Sequence, residues 1–481
     1  MNEVTLSRAV ERAREKSIII PTFAQLRDPD LIPNGIAEKL PGIALSDVHP
    51  LNLFRISWKN DLDTGLFGTV NSIEFPRSLT GVQNRIIGLV GRCFPTGSHK
   101  VGAAFGCLVP RLVSGQFDPA IHKAVWPSTG NYCRGGAFDC ALLGCTAVAI
   151  LPEEMSPERF EWLQSIGAQT IRTPGSESNV KEIFDKCWQI RRQQPDYIVF
   201  NQFDEFGNSI WHYHVTGSAV EEVFQRERTA TSRCAAFLCA TGSAGTIAAG
   251  DYLKKIHPEV LVAGAESLEC PTLLLNGFGS HRIEGIGDKH VPWIHNVRNM
   301  DMVVGIHDQQ CMNLLRLFNE QSGCDILRSR GSDAELISAL ALLGISGIAN
   351  LIGSIKLSRY YEMDENDIVF TVLTDSSDLY QSRIREQQLQ SGDATERWAE
   401  IHFERDLGGI RTDFMKELGY YDRKALHNLK YFTWVEQQGK SVQALDELWK
   451  REFWEDMYLQ IGEWDRRIEA FNQETGLLDN Q

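Results

Sequence analysis

Lys100 stands in the run Gly97-Ser98-His99-Lys100-Val101-Gly102-Ala103-Ala104, where a turn hands over to an apolar helix. A lysine crowded by small residues near a strand end keeps its amine in a poorly hydrated pocket. Desolvation favours the neutral amine, and only that form attacks a carbonyl. The run reads either as a Schiff-base lysine or as an ordinary solvated helix residue. A second stretch, Thr241-Gly242-Ser243-Ala244-Gly245-Thr246, lies between a buried strand and a helix. Small residues let backbone N–H groups converge on an anion, and the helix N-terminus adds unpaired donors and its dipole. A phosphate fits there; so does a plain tight connection. The loop lacks the lysine of a Walker motif, and no strand-plus-acid context supports a dinucleotide. A third stretch, Ser128-Thr129-Gly130-Asn131, offers hydroxyls, amides and an amide side chain that can hold a carboxylate and a phenolic oxygen, or simply cap a helix.

The elements that must position these residues follow a strand–helix rhythm. Asn84 to Arg92 reads as a buried strand broken by Cys93-Phe94-Pro95-Thr96-Gly97, just ahead of Lys100. Ala124-Val125-Trp126 is a strand ending at Ser128, and Gly135 to Gly144 is a close-packed helix feeding the strand Thr146 to Leu151. Ser156 is a helix N-cap with Pro157 at the first helical position. Val180 to Arg192 reads as helix; Tyr197 to Phe200, Ala235 to Cys239, Val260 to Ala265 and Ile368 to Leu373 read as strands; Leu336 to Ile355 is an apolar helical stretch. Strand and helix in alternation imply parallel sheets with helices on their faces. Leu51 to Trp58 is expected to be a strand and Val4 to Glu15 an amphipathic helix. Beyond Ile384 the chain is rich in both charge signs and holds five of the eleven tryptophans. The expected organisation is an N-terminal extension (1–75), a catalytic body (76–384) with a smaller subdomain around 128–215, and a helical C-terminal appendix (385–481).

A formal net charge of -15 argues against a general nucleic-acid or anionic-membrane partner. No apolar run approaches the roughly 20 residues that span a bilayer, and Met1 to Lys16 has no signal-peptide core. A cytosolic protein is expected. Its eleven cysteines, with no CxxC pair, read as free thiols, and no structural metal is expected.

Lysine, asparagine loop and anion loop, in this order, make the chain resemble the fold-type II pyridoxal phosphate enzymes, the cysteine synthase and tryptophan synthase β group. The resemblance runs from about residue 76 to about residue 384. His99-Lys100 is similar to the His-Lys pair of the tryptophan synthase β chain. Leu151-Pro152-Glu153, Met155-Ser156, Ile166-Gly167-Ala168, Gln202-Phe203, Thr216-Gly217, Glu284-Gly285-Ile286-Gly287 and Ser329-Arg330-Gly331 are closer to cysteine synthase. The resemblance implies an α/β fold of two three-layer subdomains around mostly parallel sheets. It also implies a homodimer that binds pyridoxal 5'-phosphate and acts on a small amino acid. Lys100 becomes the Schiff-base lysine and the α-proton carrier. Asn131 bonds the phenolic oxygen, and Gly242, Ser243, Ala244, Gly245 and Thr246 bind the phosphate. Gly285 lies near the ring, and Ser128, Thr129, Gly130 and Gln202 grip the substrate carboxylate.

The implied reaction is β-elimination or β-replacement through an aminoacrylate. Deamination, γ-replacement, racemisation, or a non-catalytic cofactor-binding homologue are the alternatives. Two departures bear on that choice. Tyr132 replaces the threonine that follows the asparagine in cysteine synthases, which places a change in the carboxylate site or its lid. In Thr374-Asp375-Ser376-Ser377-Asp378, either Asp375 or Ser376 meets the pyridine nitrogen. A serine leaves the ring a moderate electron sink, whereas an aspartate keeps it protonated and favours a longer-lived carbanion. His290 reads as an acid–base or a structural residue, and His99 as packing beside the cofactor. Arg328 and Arg330 read as recognising an acidic substrate group or as surface ion pairs.

Overall fold

The computed structural model describes residues 3–128, 130–153, 155, 157–175 and 180–478. Among them are the strands β1 (Ser72–Phe75), β2 (Arg85–Val90), β3 (Lys123–Pro127), β4 (Thr146–Pro152), β5 (Gln169–Thr173), β6 (Tyr197–Val199), β7 (Arg233–Ala240), β8 (Leu261–Ser267), β9 (Met302–Ile306), β10 (Asp367–Leu373) and β11 (Met415–Glu417). They form a sheet of order β1-β2-β10-β7-β8-β9-β11 and a second of order β5-β4-β3-β6. The second is parallel throughout, and the first is parallel apart from its edge strands β1 and β11. All seven residues of β10 are buried, as a parallel strand covered on both faces demands. The expected α/β architecture of mostly parallel sheets, with a helical C-terminal region, is the one observed.

The chain divides into two compact units. The first comprises Met1–Thr69, Cys93–Ala219 and Gln443–Gln481, and carries the four-stranded sheet. Its ends are stitched together: Ile20 N–H donates to Asn472 Oδ1 at 3.0 Å, Asn472 Nδ2 returns a bond to Ile20 O at 2.8 Å, and Phe23 N–H donates to Asp465 Oδ1 at 2.7 Å. The second comprises Val70–Arg92 and Val220–Val442 and carries the seven-stranded sheet. A core cluster joins β7–β10 to the helices Asp308–Asn319 and Ile345–Tyr360.

Two expectations about local structure are corrected. Residues 50–55 form a 3₁₀ helix rather than a strand, because Pro50 fixes the first dihedral and His49 Nδ1 accepts the Leu51 N–H. The apolar stretch 336–355 is two helices, Ala334–Leu340 and Ile345–Tyr360, bent by 117° at a break that ends on Gly344. Ser156, expected as an N-cap, lies outside the described residues; the helix Pro157–Ser165 follows it. Among the described residues no single helix is long and apolar enough to cross a membrane. All eleven cysteines are free, and nine are buried.

Candidate functional site

In the first unit the helix Lys100–Val113 begins on the lysine itself, after a turn in which Gly97 takes φ +71°. Its glycines are sites of close approach. A Cβ on Gly102 would lie 2.1 Å from the Trp211 ring, and one on Gly106 would lie 2.4 Å from Gly207 O. The helix that carries Lys100 is thus pinned by its neighbours' backbone and ring, and the half-buried lysine cannot drift with a loose first turn. Ser98 Oγ accepts the Lys100 N–H at 3.4 Å. His99 is buried between Trp58 and His212, with ring centroids at 5.6 and 4.9 Å. Burial, with the Lys100 charge second, holds the His99 imidazole well below its ordinary range, so it stays neutral. His212 is held down in the same way, and its Nδ1 lies 2.9 Å from Thr216 Oγ1. Residues 212–216 form a π-turn, which rotates His212 toward His99. The apolar pattern of that helix gives no sign of the turn, and His212 was missed for that reason.

Asn131 is the first residue of the helix Asn131–Leu142. Immediately before it, Ser128 Oγ accepts from both Gln202 Nε2 and Gly130 N–H at 3.3 Å. Ser128, Gly130 and Gln202 are therefore brought together, and Thr129 lies outside the described residues. An Arg159 Nη lies 2.7 Å from where a Gly130 Cβ would stand, a neighbour that sequence spacing did not reveal. Tyr132 corrects an expectation. One residue past Asn131 the helix has turned about 100°, and the tyrosine ring points into the core against Trp126 at 5.4 Å. The substitution alters packing beneath the loop rather than the loop's open face.

In the second unit the loop 241–247 joins β7 to the helix Ala248–Ile256. Ala244 takes φ +61°, and residues 243–247 are buried. Among the described residues, the N–H groups of Gly242, Ala244, Gly245, Thr246 and Ile247 have no protein partner; backbone bonding resumes at Ala248, which donates to Gly245 O. A run of buried, unanswered donors at a helix start is an anion cradle. The turn at Gly285 (φ +87°) and Gly287 (φ +72°) lies directly against it. Gly287 N–H donates to Thr241 O at 2.9 Å, and a Cβ on Gly242 would meet Gly285 O at 2.7 Å.

Beyond β10, Asp375 and Ser376 are both buried. Asp375 Oδ2 accepts the Tyr380 hydroxyl at 2.7 Å, and its Oδ1 occupies the space a Gly344 Cβ would need, at 1.8 Å. Gly344 also donates its N–H to Asp375 O at 3.0 Å. One carboxylate oxygen is thus taken up by Tyr380, and the other is buried against Gly344 at the start of the helix Ile345–Tyr360. Ser376 is extended (φ -120°, ψ 169°), and Oγ donates to Asp378 Oδ2 at 3.0 Å. Neighbouring side chains on extended backbone leave on opposite sides. His290 is half-buried, its imidazole is pushed down to about 4 by desolvation, and it packs edge-on against Trp434 at 5.5 Å. Arg328 pairs with Asp325 at 2.7 Å, and Arg330 pairs with Glu404 at 2.6 Å and lies over the Phe403 ring.

Residues 92–356 match the family described as "Pyridoxal-phosphate dependent enzyme". A cysteine synthase of Staphylococcus aureus is 28% identical over 289 residues, 60% of this chain and 84% of the relative. Among solved structures, O-acetyl serine sulfhydrylase isoform 3 from Entamoeba histolytica superposes with a TM-score of 0.58 at 21% identity, covering 72% of this chain and 96% of that one. A hydrogen sulfide-producing enzyme from Fusobacterium nucleatum superposes with a TM-score of 0.55 at 22% identity, covering 64% and 96%.

Proposed function

The chain belongs to the pyridoxal-phosphate dependent enzymes, and from that premise we propose that it eliminates or replaces the β-substituent of a small L-amino acid of the serine type. The cysteine synthase of Staphylococcus aureus, similar over 60% of this chain, supports that choice of reaction. The residues present fit the cofactor. Five amides at 242 and 244–247, the last four on buried residues, converge at the helix start, and the Gly242–Gly285 approach leaves no room for a side chain where a phosphate and a ring must enter.

Pyridoxal phosphate, when bound, supplies an aldehyde for an amine to capture and a ring that draws electrons from the substrate's α-carbon. In this reading Lys100 holds that aldehyde through Nζ and later accepts the α-proton. Neutral His99 and His212 behind it add no competing positive charge. Gly242, Ser243, Ala244, Gly245 and Thr246 bind the phosphate through backbone amides and hydroxyls. Asn131 donates its side-chain amide to the phenolic oxygen. Ser128, Gly130 and Gln202, with Thr129, hold the substrate carboxylate, and Gly285 borders the ring without a side chain to obstruct it. Residues 76–384 form the catalytic body, with 1–75 and 385–481 accessory to it. The protein works as a homodimer in the cytosol, a compartment that suits eleven free thiols.

The observation that carries the reaction type is the hydrogen bond from Tyr380 to Asp375 Oδ2, with Oδ1 packed on Gly344, against a Ser376 hydroxyl that bonds to the exposed Asp378 and can turn from it. It supports Ser376 as the residue facing the ring nitrogen. A hydroxyl partner does not hold that nitrogen protonated, and a moderate electron sink serves loss of a β-leaving group better than a long-lived carbanion. Feeding O-acetylserine, serine, cysteine and threonine to the purified holoenzyme tests the reading. A change in the cofactor's visible band is expected with the first three, together with pyruvate or a new amino acid. If none of them changes the band, or if only threonine turns over to an oxoacid, the assignment fails.

A further inference from the structure

In the Gly285–Gly287 turn only Ile286 carries a side chain, and it is buried in the core of the second unit. A Cβ at Gly285 would meet nothing within 4 Å. Gly285 itself is held through its neighbours: Ile286 in the core, Glu284 paired with Arg383 at 2.5 Å before it, and the chain that follows it. On the near side, Gly287 N–H bonds to Thr241 O, and Thr272 Oγ1 donates to Asp288 O at 2.6 Å. On the far side the anchors come from some 140 residues away in sequence, from the helix Tyr420–Lys430 and the π-turn Tyr431–Gln437 that continues it. Trp434 Nε1 donates to Val291 O at 2.8 Å. Lys430 Nζ donates to Trp293 O at 2.9 Å and to His295 O at 2.7 Å. Both side chains are 0% exposed. Three alternate carbonyls of one short segment are thus gripped by two side chains about one helical turn apart, and the His290 ring packs on the same indole.

Burial pushes the Lys430 amine down to about 7, and a buried amine in either protonation state is tolerated only where its N–H donors are answered, whereas an apolar residue would pack there at lower cost. What the lysine adds is direction. These two hydrogen bonds form when residues 293 and 295 present their carbonyls to one Nζ, at 2.9 and 2.7 Å. We propose that Lys430 and Trp434 are positioning residues that hold the segment Val291–His295, and through it the Gly285 turn, at a set height against the cofactor ring. This gives the 420–437 region a role in the reaction rather than in packing alone, and it rests on the reading that Gly285 borders the ring.

The test uses the full-length holoenzyme with Trp434→Phe, which removes one N–H and keeps a ring, Lys430→Met, Gly285→Ala and, as a control in the same C-terminal region, Trp398→Phe. The readouts are the visible circular dichroism of the bound cofactor, the cofactor Kd and the melting temperature of the cofactor-free protein. Trp434→Phe and Lys430→Met are expected to change the dichroic band and to weaken cofactor binding about 5- to 10-fold, the scale of one lost buried hydrogen bond. Trp398→Phe should change neither. Where Lys430→Met does not fold, Trp434→Phe decides. If Gly285→Ala changes the band and Trp434→Phe only lowers the melting temperature, the positioning role is wrong while the ring assignment stands. If Gly285→Ala leaves the band unchanged, the ring assignment falls and takes this inference with it. An equal response in Trp398→Phe also overturns it.

Discussion

In the reading we propose, the first unit prepares its part of the chemistry with side chains, and the second with backbone. Around Lys100 the working groups are an amine, a carboxamide and hydroxyls carried at helix starts, backed by two neutral imidazoles. Around Gly242 they are chiefly amides of a loop of small residues, where Gly242 lies too close to Gly285 O to admit a methyl group. A side-chain group is lost by changing its chemistry and survives modest repacking. A backbone cradle survives changes of chemistry nearby and is lost by adding volume.

The largest expected effect lies on the side-chain half. Lys100→Ala should lower turnover by at least about 10³-fold, the usual scale for removing a covalent catalyst that also carries a proton. The same variant should abolish borohydride-trapped cofactor label by mass spectrometry, while cofactor still binds non-covalently. Retained label on another lysine would break the assignment of Lys100.

Next is a matched pair of glycine-to-alanine changes. Gly242→Ala drives a Cβ to within 2.7 Å of Gly285 O and should weaken cofactor binding about 10-fold or more, with a small change in the melting temperature of the cofactor-free protein. Gly102→Ala drives a Cβ to within 2.1 Å of the Trp211 ring and should cost about 1–3 kcal/mol of stability. Its effect on cofactor affinity, once the variant is folded, should be the smaller of the two. Titration calorimetry and thermal melts on both proteins check this. Equal losses of affinity would erase the distinction between the halves.

The smallest effect concerns pH. His99 and His212 are depressed in the folded protein by burial, so the unfolded chain binds more protons at and below its ordinary histidine range, about 6.5. Their stabilising share is present above that range and is lost as the pH falls through it. His290 and His295, at about 4 and about 3, act in the same direction in the second unit. The melting temperature should therefore fall between pH 7 and 5, and His99→Asn should flatten the fall without abolishing it. A slope unchanged in His99→Asn would mean that the imidazole pair is charged in the fold.

What could be read from the sequence follows the same division. Lys100, Asn131 and the glycine-rich loops announce themselves because each is a local pattern whose meaning depends on its immediate neighbours. Strands such as β7 and β10 are equally local, since a strand covered on both faces needs a continuous apolar run. Tyr132 could not be placed, because the side of a helix on which a residue lands depends on the first turn's geometry. Nor could the fate of Asp375, whose partner Gly344 is distant in sequence and matters for lacking a side chain. Lys430 is hidden for a similar reason. Among 48 basic residues, nothing nearby marks the one whose acceptors lie near residue 294.

The stitching of residues 20–24 to Asp465 and Asn472 has a consequence for how the protein is made. The first unit is assembled from three separated stretches, and its opening stretch must wait on the ribosome until residue 472 has emerged. The second unit's strands are all synthesised by residue 417, so it can complete its sheet while the first remains open. The first unit then closes by joining segments some 440 residues apart. The entropic cost of closure grows only slowly with separation, but the apolar side chains of Ile18, Ile19, Ile20 and Phe23, buried in the finished fold, remain exposed for longer. Crowding and chaperones during translation therefore act mainly on the unit that carries Lys100.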